Sequence, residues 1–119
     1  MKNMVVLGAS PNPERFSYKA VRSLLKRNYA VVPVGIRSGM IENLEIITGK
    51  PVIENVHTLL LYIGPDRQQE YYEYILQLNP KRIIFNPGTE NQVLITMCKK
   101  NQIEVIFDCA LVMLSAGKF

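Results

Sequence analysis

The stretch Met4-Val5-Val6-Leu7-Gly8-Ala9-Ser10 joins a short apolar strand to a glycine-containing turn, and an amphipathic run begins soon afterwards at Phe16. A strand, a glycine turn and a helix in this order are how α/β domains present backbone N–H groups to a phosphate. The glycine lets the chain turn tightly and lets an anion come close to the main chain. We therefore expect a nucleotide or cofactor phosphate to bind here. The G-x-G-x-x-G fingerprint for NAD is incomplete, because Gly8 stands alone and Ser10 takes the place of the second glycine.

Apolar runs alternate with helical patterns along the whole chain. The predicted strands cover residues 4–7, 29–34, 57–63, 82–85 and 103–107, and the predicted helices cover 16–26, 67–78, 90–100 and 110–115. Continuous apolar strands indicate burial on both faces and hence a parallel sheet, and alternation with helices gives right-handed crossovers. The sequence therefore predicts one α/β domain over residues 1–119, Rossmann-like, with a five-stranded mainly parallel sheet and helices on both faces. Only residues 35–56 interrupt this alternation of strands and helices. Their pattern fits no more than a short strand or turn.

The composition is that of a globular protein, with 48% hydrophobic and 20% charged residues in a chain of 119. The net charge of +4 comes from scattered lysines and arginines, which favours a solvated surface and a polyphosphate ligand over a nucleic acid. The first residues lack the pattern of a signal peptide, and no apolar run approaches the ~20 residues that a membrane span needs. We expect a cytoplasmic protein without membrane contact, whose two cysteines, Cys98 and Cys109, are reduced.

The turns after the five predicted strands are rich in glycine and proline, which is typical of a binding face at the carboxyl ends of parallel strands. An NAD site of the usual kind has an acidic residue after the second strand to hold the ribose hydroxyls. This chain has Gly35-Ile36-Arg37 there. An arginine favours a ligand with a phosphate near its ribose, and NADP and coenzyme A (CoA) both meet this condition. The alternative is that Arg37 is an exposed loop cation without a partner.

Two runs, residues 6–18 with their Gly-Ala-Ser-Pro-Asn-Pro start and residues 31–34 with Val-Val-Pro-Val, resemble the small CoA-binding domain family. That family shares its fold with the CoA-binding domain of the succinyl-CoA synthetase alpha subunit. The likeness continues through the third strand, the turn at residues 84–88 and the segment 105–109, so it covers nearly the full length in the right order. It implies binding of CoA or an acyl-CoA.

The resemblance also implies positions along the ligand. Gly8, Ala9 and Ser10 would lie beside the pyrophosphate, and Tyr18 belongs to the same motif. Val34, Gly35, Ile36 and Arg37 would face the 3′-phosphoribose and adenine, Tyr62, Ile63 and Gly64 would border the nucleotide, and Asn86, Pro87 and Gly88 would lie towards the pantetheine arm. The chain departs from the family at Gly35-Ile36, where Asn-Pro is common, and at Ile63-Gly64-Pro65, where an aromatic-Arg pair is frequent.

Few side chains suit catalysis. His57 is the single histidine and has no nucleophilic partner in the pattern, and no cysteine or histidine pair has metal-ligand spacing. Asp66 fits either a carboxylate pair with Asp108 or a helix N-cap, and Cys98 fits the core. Cys109 follows the last strand near a helix start, where a thiolate is favoured, so it is either a cysteine able to form a mixed disulfide with the CoA thiol or a small buried residue.

The sequence therefore predicts a non-catalytic CoA-binding carrier, sensor or regulatory module. The alternative is an NADP-dependent or CoA-linked enzyme component that a partner chain completes. Three tyrosines, Tyr71, Tyr72 and Tyr74, crowd one predicted helix. They suggest either an exposed aromatic patch for a homo-oligomer or partner enzyme, or single half-buried rings with solvated hydroxyls.

Overall fold

Five strands form one parallel sheet in the computed structural model, which describes all of residues 1–119. These are β1 (Asn3–Leu7), β2 (Ala30–Val34), β5 (Val56–Leu61), β6 (Arg82–Phe85) and β7 (Glu104–Phe107), and a hairpin adds β3 (Met40–Ile41) and β4 (Leu44–Glu45). The α-helices are α1 (Phe16–Lys26), α2 (Tyr72–Leu78), α3 (Gln92–Lys100) and α4 (Ala110–Ser115). The strand order is β2-β1-β5-β6-β7 with every neighbouring pair parallel. The predicted Rossmann-like α/β fold is confirmed.

Both faces of the sheet are covered, because the central strands are apolar at consecutive positions. In β1, Val5 and Leu7 belong to a buried cluster that includes residues of α2 and α3, whereas Met4 and Val6 belong to a second cluster with residues of α1 and α4. Full burial of such side chains contributes about 1.5–3 kcal/mol each, so a strand of this kind is stabilised from both sides. The helices therefore lie on both faces, as predicted. No helix combines the length and the apolar composition that crossing a membrane requires.

Three predicted elements differ from the structure by two residues or more at a boundary. The third predicted strand ends at Leu61 instead of residue 63. The predicted helix over 67–78 is a 3₁₀ segment, Pro65–Tyr71, followed by the shorter α2. The predicted helix over 90–100 begins two residues later, because Asn91 is its N-cap and accepts a hydrogen bond from the N–H of Val93 at 3.0 Å.

Residues 35–56, which contain short strands and no crossover helix as the sequence indicates, protect the outer edge of the sheet. The hairpin of β3 and β4 leads back to Ile47, whose N–H donates to the Pro33 carbonyl at 2.9 Å and whose carbonyl accepts from Gly35 at 3.1 Å. Ile41 and Ile46 from this segment are buried in the cluster beside α1. The segment thus supplies the packing that a crossover helix would have given, and it holds the loop after β2 in place.

The order of the strands locates the binding edge. The chain runs outward from β1 to β2, then returns to the other side of β1 for β5. This reversal between β1 and β5 is the topological switch point, and ligands of open parallel sheets bind at the carboxyl ends of the strands there.

Candidate functional site

A cleft of about 610 Å³ lies at the carboxyl ends of β1, β2 and β5. Its lining comes from the β1–α1 loop, the start of α1, the loop after β2 and the residues from the end of β5 into the 3₁₀ segment. The structure brings these predicted residues together there: Gly8, Ala9, Ser10, Val34, Gly35, Ile36, Arg37, Tyr62, Ile63 and Gly64. Tyr18, Asn86, Pro87, Gly88 and Cys109 do not line it.

Two glycines form the floor of the cleft, because the loops meet backbone to backbone. Gly8 has a positive φ of 101°, and a Cβ placed on it would lie 2.9 Å from the carbonyl carbon and oxygen of Tyr62. A Cβ on Gly35 would lie 2.2 Å from the carbonyl oxygen of Ala9. Real Cβ atoms do not approach that closely, so both positions require glycine for the packing of the three loops.

The N–H groups of the glycine turn are already used within the protein. Those of Gly8 and Ala9 both donate to the Val34 carbonyl at 2.9 Å. The turn is therefore not a row of free donors, although its sequence is typical of one. The remaining donor of this turn is the N–H of Ser10, which has no partner within the protein.

Helix α1 supplies further donors. It is 11 residues long, its N-cap Arg15 makes no side-chain cap hydrogen bond, and its first turn contains no acidic residue. The N–H groups of the first three helical residues, Phe16, Ser17 and Tyr18, have no acceptor within the protein. Phe16 and Ser17 line the cleft. Since the N-terminus of a helix carries about half a positive charge, this end of the cleft attracts an anion.

Three arginines add full charges to the cleft lining. Arg15, Arg37 and Arg67 are exposed, and none has an ion-pair partner, because the single salt bridge of the protein joins Arg22 to Glu42. Glu14 is the one acidic residue of the lining. The cleft therefore carries a positive net charge that the protein itself does not neutralise.

Sequence reasoning singled out Arg37 but missed Arg15, Arg67 and Ser17. A signal was present, because Arg15 and Ser17 flank the first residue of a predicted helix and Arg67 begins another. Helices that follow the strands of a parallel sheet start at its carboxyl edge, so residues at their starts face the binding region. The apolar part of the lining includes two strongly exposed side chains, Phe16 at 66% and Ile36 at 65%.

Asn86, predicted to lie towards the pantetheine arm, has both ends of its amide engaged in the protein. Its Nδ2 donates to the Leu61 carbonyl at 2.9 Å, and its Oδ1 accepts from the N–H of Ala110 at 2.9 Å. The side chain is buried and ties the end of β5 to the start of α4.

Gln68 is a second buried amide, and no pattern in the sequence distinguishes it. Its Nε2 donates to the carbonyls of Ile63 and Thr89 at 2.8 and 2.7 Å, and its Oε1 accepts from Asn91 at 2.9 Å. It is fully buried, so these bonds replace all of its contacts with water. Gln68 therefore holds the cleft wall at Ile63 beside the turn that contains Pro87 and Gly88.

The two thiols differ in burial, as the sequence predicted. Cys98 is buried in the core, and burial raises the pKa of its thiol to about 11. Cys109 is partly exposed and is the N-cap of α4. The Tyr62 hydroxyl is buried without a hydrogen-bond partner. Burial, with the neighbouring Cys109 as a smaller cause, raises the pKa of Tyr62.

The structure corrects the prediction for Asp66, since the N-cap of the segment after β5 is Gly64 and no side chain caps it. His57 lies in β5 at the end away from the cleft, where its Nδ1 is 2.8 Å from the Thr58 hydroxyl. Burial and the charge of Arg82 lower the pKa of His57. No three histidine, cysteine or acidic side chains lie close enough together to hold a metal ion.

The tyrosines of the α2 region do not form an exposed patch. Tyr74 is buried and its hydroxyl donates to the Pro51 carbonyl at 2.6 Å. Tyr71 and Tyr72 are half-buried, and the Tyr72 hydroxyl accepts from Asn91 at 2.8 Å. Tyr71 and Tyr72 thus fit the alternative of single half-buried rings, whereas the expectation of a half-buried ring with a solvated hydroxyl is wrong for Tyr74.

A parallel sheet of this order with helices on both faces defines a Rossmann-like α/β domain. Residues 2–115 match the family model of the CoA binding domain, and the chain belongs to that family. A crystal structure of an uncharacterized protein is 47% identical, with a TM-score of 0.96 over 100% of this chain and 98% of the other. No curated protein matches.

More distant structures share the fold. A hypothetical protein from Pyrococcus horikoshii OT3 is 20% identical, with a TM-score of 0.84 over 95% of this chain and 81% of the other. The dinucleotide forming acetyl-coenzyme A synthetase 1 of Ca. Korarchaeum cryptofilum, in complex with phosphate and ADP, is 15% identical with a TM-score of 0.74. This chain is covered to 89%, and the match spans 25% of the synthetase chain.

Proposed function

We propose that the protein binds CoA or an acyl-CoA in the cleft and has no catalytic groups of its own. The observation that carries the proposal is the coincidence of two unpartnered positive features in one cleft: the open N-terminus of α1 and three arginines without ion pairs. CoA has a diphosphate and a 3′-phosphate, so it needs more than one anion-binding group. Membership of the CoA-binding domain family supports the same ligand.

In this proposal the diphosphate lies at the start of α1. The acceptors of the diphosphate take hydrogen bonds from the N–H groups of Ser10, Phe16 and Ser17, which have no partner in the protein. Gly8 and Ala9 lie beside the diphosphate in this proposal but do not donate to it, because their N–H groups are bonded to the Val34 carbonyl.

Arg37 contacts the 3′-phosphate in this proposal, and Ile36 packs beside the adenine. Both residues are exposed in the loop directly after β2, where dinucleotide-binding domains recognise the ribose. Tyr62, Ile63 and Gly64 form the opposite wall. Arg15 and Arg67 neutralise the diphosphate from the two remaining sides.

The pantetheine arm leaves the cleft past Ile63 in this proposal. Gln68 holds Ile63 next to the turn of Asn86, Pro87 and Gly88, so that turn and Cys109 are the next surfaces along the sheet edge. Since the Asn86 amide is satisfied internally, its part is to shape this path instead of donating to the ligand. Tyr18 is half-buried and packs against the core on the α1 side, which supports a role in holding α1.

The protein then acts as a carrier, sensor or regulatory module in the cytoplasm. The second candidate is an NADP-dependent or CoA-linked enzyme component completed by a partner chain, and one observation favours it: an arginine at position 37 suits the 2′-phosphate of NADP as well as the 3′-phosphate of CoA.

Calorimetric titration of the purified protein with CoA, acetyl-CoA, NADP and NAD tests both candidates. We expect CoA to bind most tightly and NAD to bind most weakly. Tighter binding of NADP than of CoA would support the second candidate, and no heat with any of the four at millimolar concentration would refute a nucleotide cofactor in this cleft. Native mass spectrometry of freshly purified protein would show whether CoA is retained.

A further inference from the structure

Four cations meet on the outer face of α1 and at its end. Lys19, Arg22 and Lys26 follow one another at spacings of three and four residues, which places them on one side of the helix, and Arg27 is the C-cap. Together with Ser23 the four cations line a shallow depression of about 250 Å³ that no apolar residue borders. We call these four residues the α1 basic face.

Most of the net charge of the protein resides there. Glu42 is the one acidic side chain in an ion pair with this face. The four cations and Glu42 carry three of the four net positive charges, and the rest of the chain is nearly balanced, with ten basic and nine acidic residues. The net positive charge is therefore concentrated at the α1 basic face and at the cleft, whose lining holds three arginines and one glutamate, and is not spread evenly over the surface.

The contacts within the α1 basic face show which chemical group it accepts. The Nε of Arg22 donates to the Glu42 carboxylate at 2.9 Å, so the face already binds one carboxylate from its own chain. Arg27 is held by hydrogen bonds to the hydroxyl and carbonyl of Ser23 at 2.7 and 3.2 Å. Lys19 and Lys26 have no ion pair, and their charges are open to a partner.

We propose that the α1 basic face is a docking site for an acidic segment of a partner protein. The depression itself is lined by no apolar or aromatic side chain, and the one exposed ring beside it, Phe16, lies under the Lys19 ammonium group. A single ring is less than a lipid-inserting face or a series of stacked bases requires. A carboxylate-bearing segment is the occupant that matches both its charge and the existing pair between Arg22 and Glu42.

The position of the α1 basic face next to the cleft gives the docking a consequence. The Nζ of Lys19 lies 5.5 Å from the ring centre of Phe16, and Phe16 lines the cleft. A partner on this face reaches the cleft mouth and meets whatever the cleft binds. The docking itself does not depend on CoA being the ligand, so its test is separate from that of the proposed function.

Fluorescence anisotropy with a labelled octaglutamate peptide tests the docking on the full chain. The variant Lys19→Gln/Lys26→Gln should weaken binding about tenfold, because each exposed ion pair contributes a few-fold in affinity. The matched variant Lys99→Gln/Lys100→Gln removes the same charge at the end of α3 and should retain the affinity. Thermal unfolding of both variants serves as the check of folding.

Glu42→Gln provides the converse test, because it removes the carboxylate that competes for Arg22. We expect it to tighten peptide binding about two- to fivefold. Equal losses in the two lysine variants, or no gain in Glu42→Gln, would overturn the proposal. So would tighter binding of an octathymidine strand or of vesicles containing phosphatidylserine than of the peptide, since the occupant would then be a nucleic acid or a membrane.

Discussion

Replacing Arg37 by glutamine should weaken CoA binding while leaving the fold unchanged. Arg37 is exposed and has no ion pair, so its removal breaks nothing inside the protein, and the free energy of unfolding should change by less than about 0.5 kcal/mol. A charge-assisted hydrogen bond contributes about 1.5–3 kcal/mol. Because the side chain stays partly in solvent, we take the lower end of that range, which corresponds to a loss of about tenfold in affinity.

The assay is a calorimetric cycle of two proteins and two ligands. Wild type and Arg37→Gln are each titrated with CoA and with dephospho-CoA, which lacks the 3′-phosphate. If Arg37 contacts that phosphate, wild type should prefer CoA about tenfold, and the variant should bind both ligands with nearly the same affinity. The difference should shrink at 0.5 M salt, because the Debye length falls well below its value of about 8 Å at 0.15 M.

Arg67→Gln is the control within the same cleft. It removes one cation from the lining as Arg37→Gln does, but in the proposal it contacts the diphosphate, which both ligands carry. It should therefore weaken CoA and dephospho-CoA by the same factor. Equal affinity of wild type for the two ligands, or equal losses of both in Arg37→Gln, would refute the assignment and return Arg37 to a solvated loop cation.

Three further predictions concern the packing and the titratable groups. Gly35→Ala should destabilise the protein by about 3 kcal/mol or more in thermal unfolding, because its Cβ would meet a main-chain oxygen at 2.2 Å, whereas Gly64→Ala, with a nearest atom at 3.3 Å, should be tolerated. A thiol reagent should label Cys109 but not Cys98 in the native protein, and both thiols in denaturant. Labelling of Cys98 in the native state would contradict the packing. Burial raises the pKa of Tyr74 to about 12, from about 10 in an unfolded chain, so its stabilising contribution is complete below pH 10 and declines as the pH rises towards 12. Urea unfolding between pH 8 and 11 should show a steeper decline for wild type than for Tyr74→Phe, and parallel curves would count against the shift.

The fold was predictable because a strand with consecutive apolar residues must be buried on both of its faces. Val5 and Val6 point to opposite faces of the sheet and are both fully buried, which requires a helical layer on each side. The segment at residues 35–56 was not predictable in this way. Its strands β3 and β4 have two residues each, too few to produce a recognisable period.

The boundaries that sequence reasoning missed were decided by local hydrogen bonds. The Asn91 side chain caps the N-terminus of α3 by accepting from the N–H of Val93. The helix therefore begins after Asn91, although the helical pattern in the sequence begins at residue 90. The region of Pro65 starts as a 3₁₀ segment, in which Gln68 turns inward to bind two loop carbonyls. A polar residue at the centre of such a network looks in the sequence like an ordinary surface glutamine.

The sequence correctly indicates which loops form the cleft. The motif around Gly8, however, indicates close approach of a phosphate, whereas the structure uses this glycine for close packing of two loops. A glycine after a strand is compatible with two roles: close approach of a ligand to the main chain, or close approach of another loop. The structure shows the second role at Gly8. Its φ is positive, a Cβ at this position would lie 2.9 Å from the Tyr62 carbonyl, and its N–H is bonded to the Val34 carbonyl. A substitution such as Gly8→Val would therefore disturb the packing of the loops before it could report on ligand binding. The side chains that test the ligand without disturbing the fold are the cations, whose charges the protein leaves unpaired.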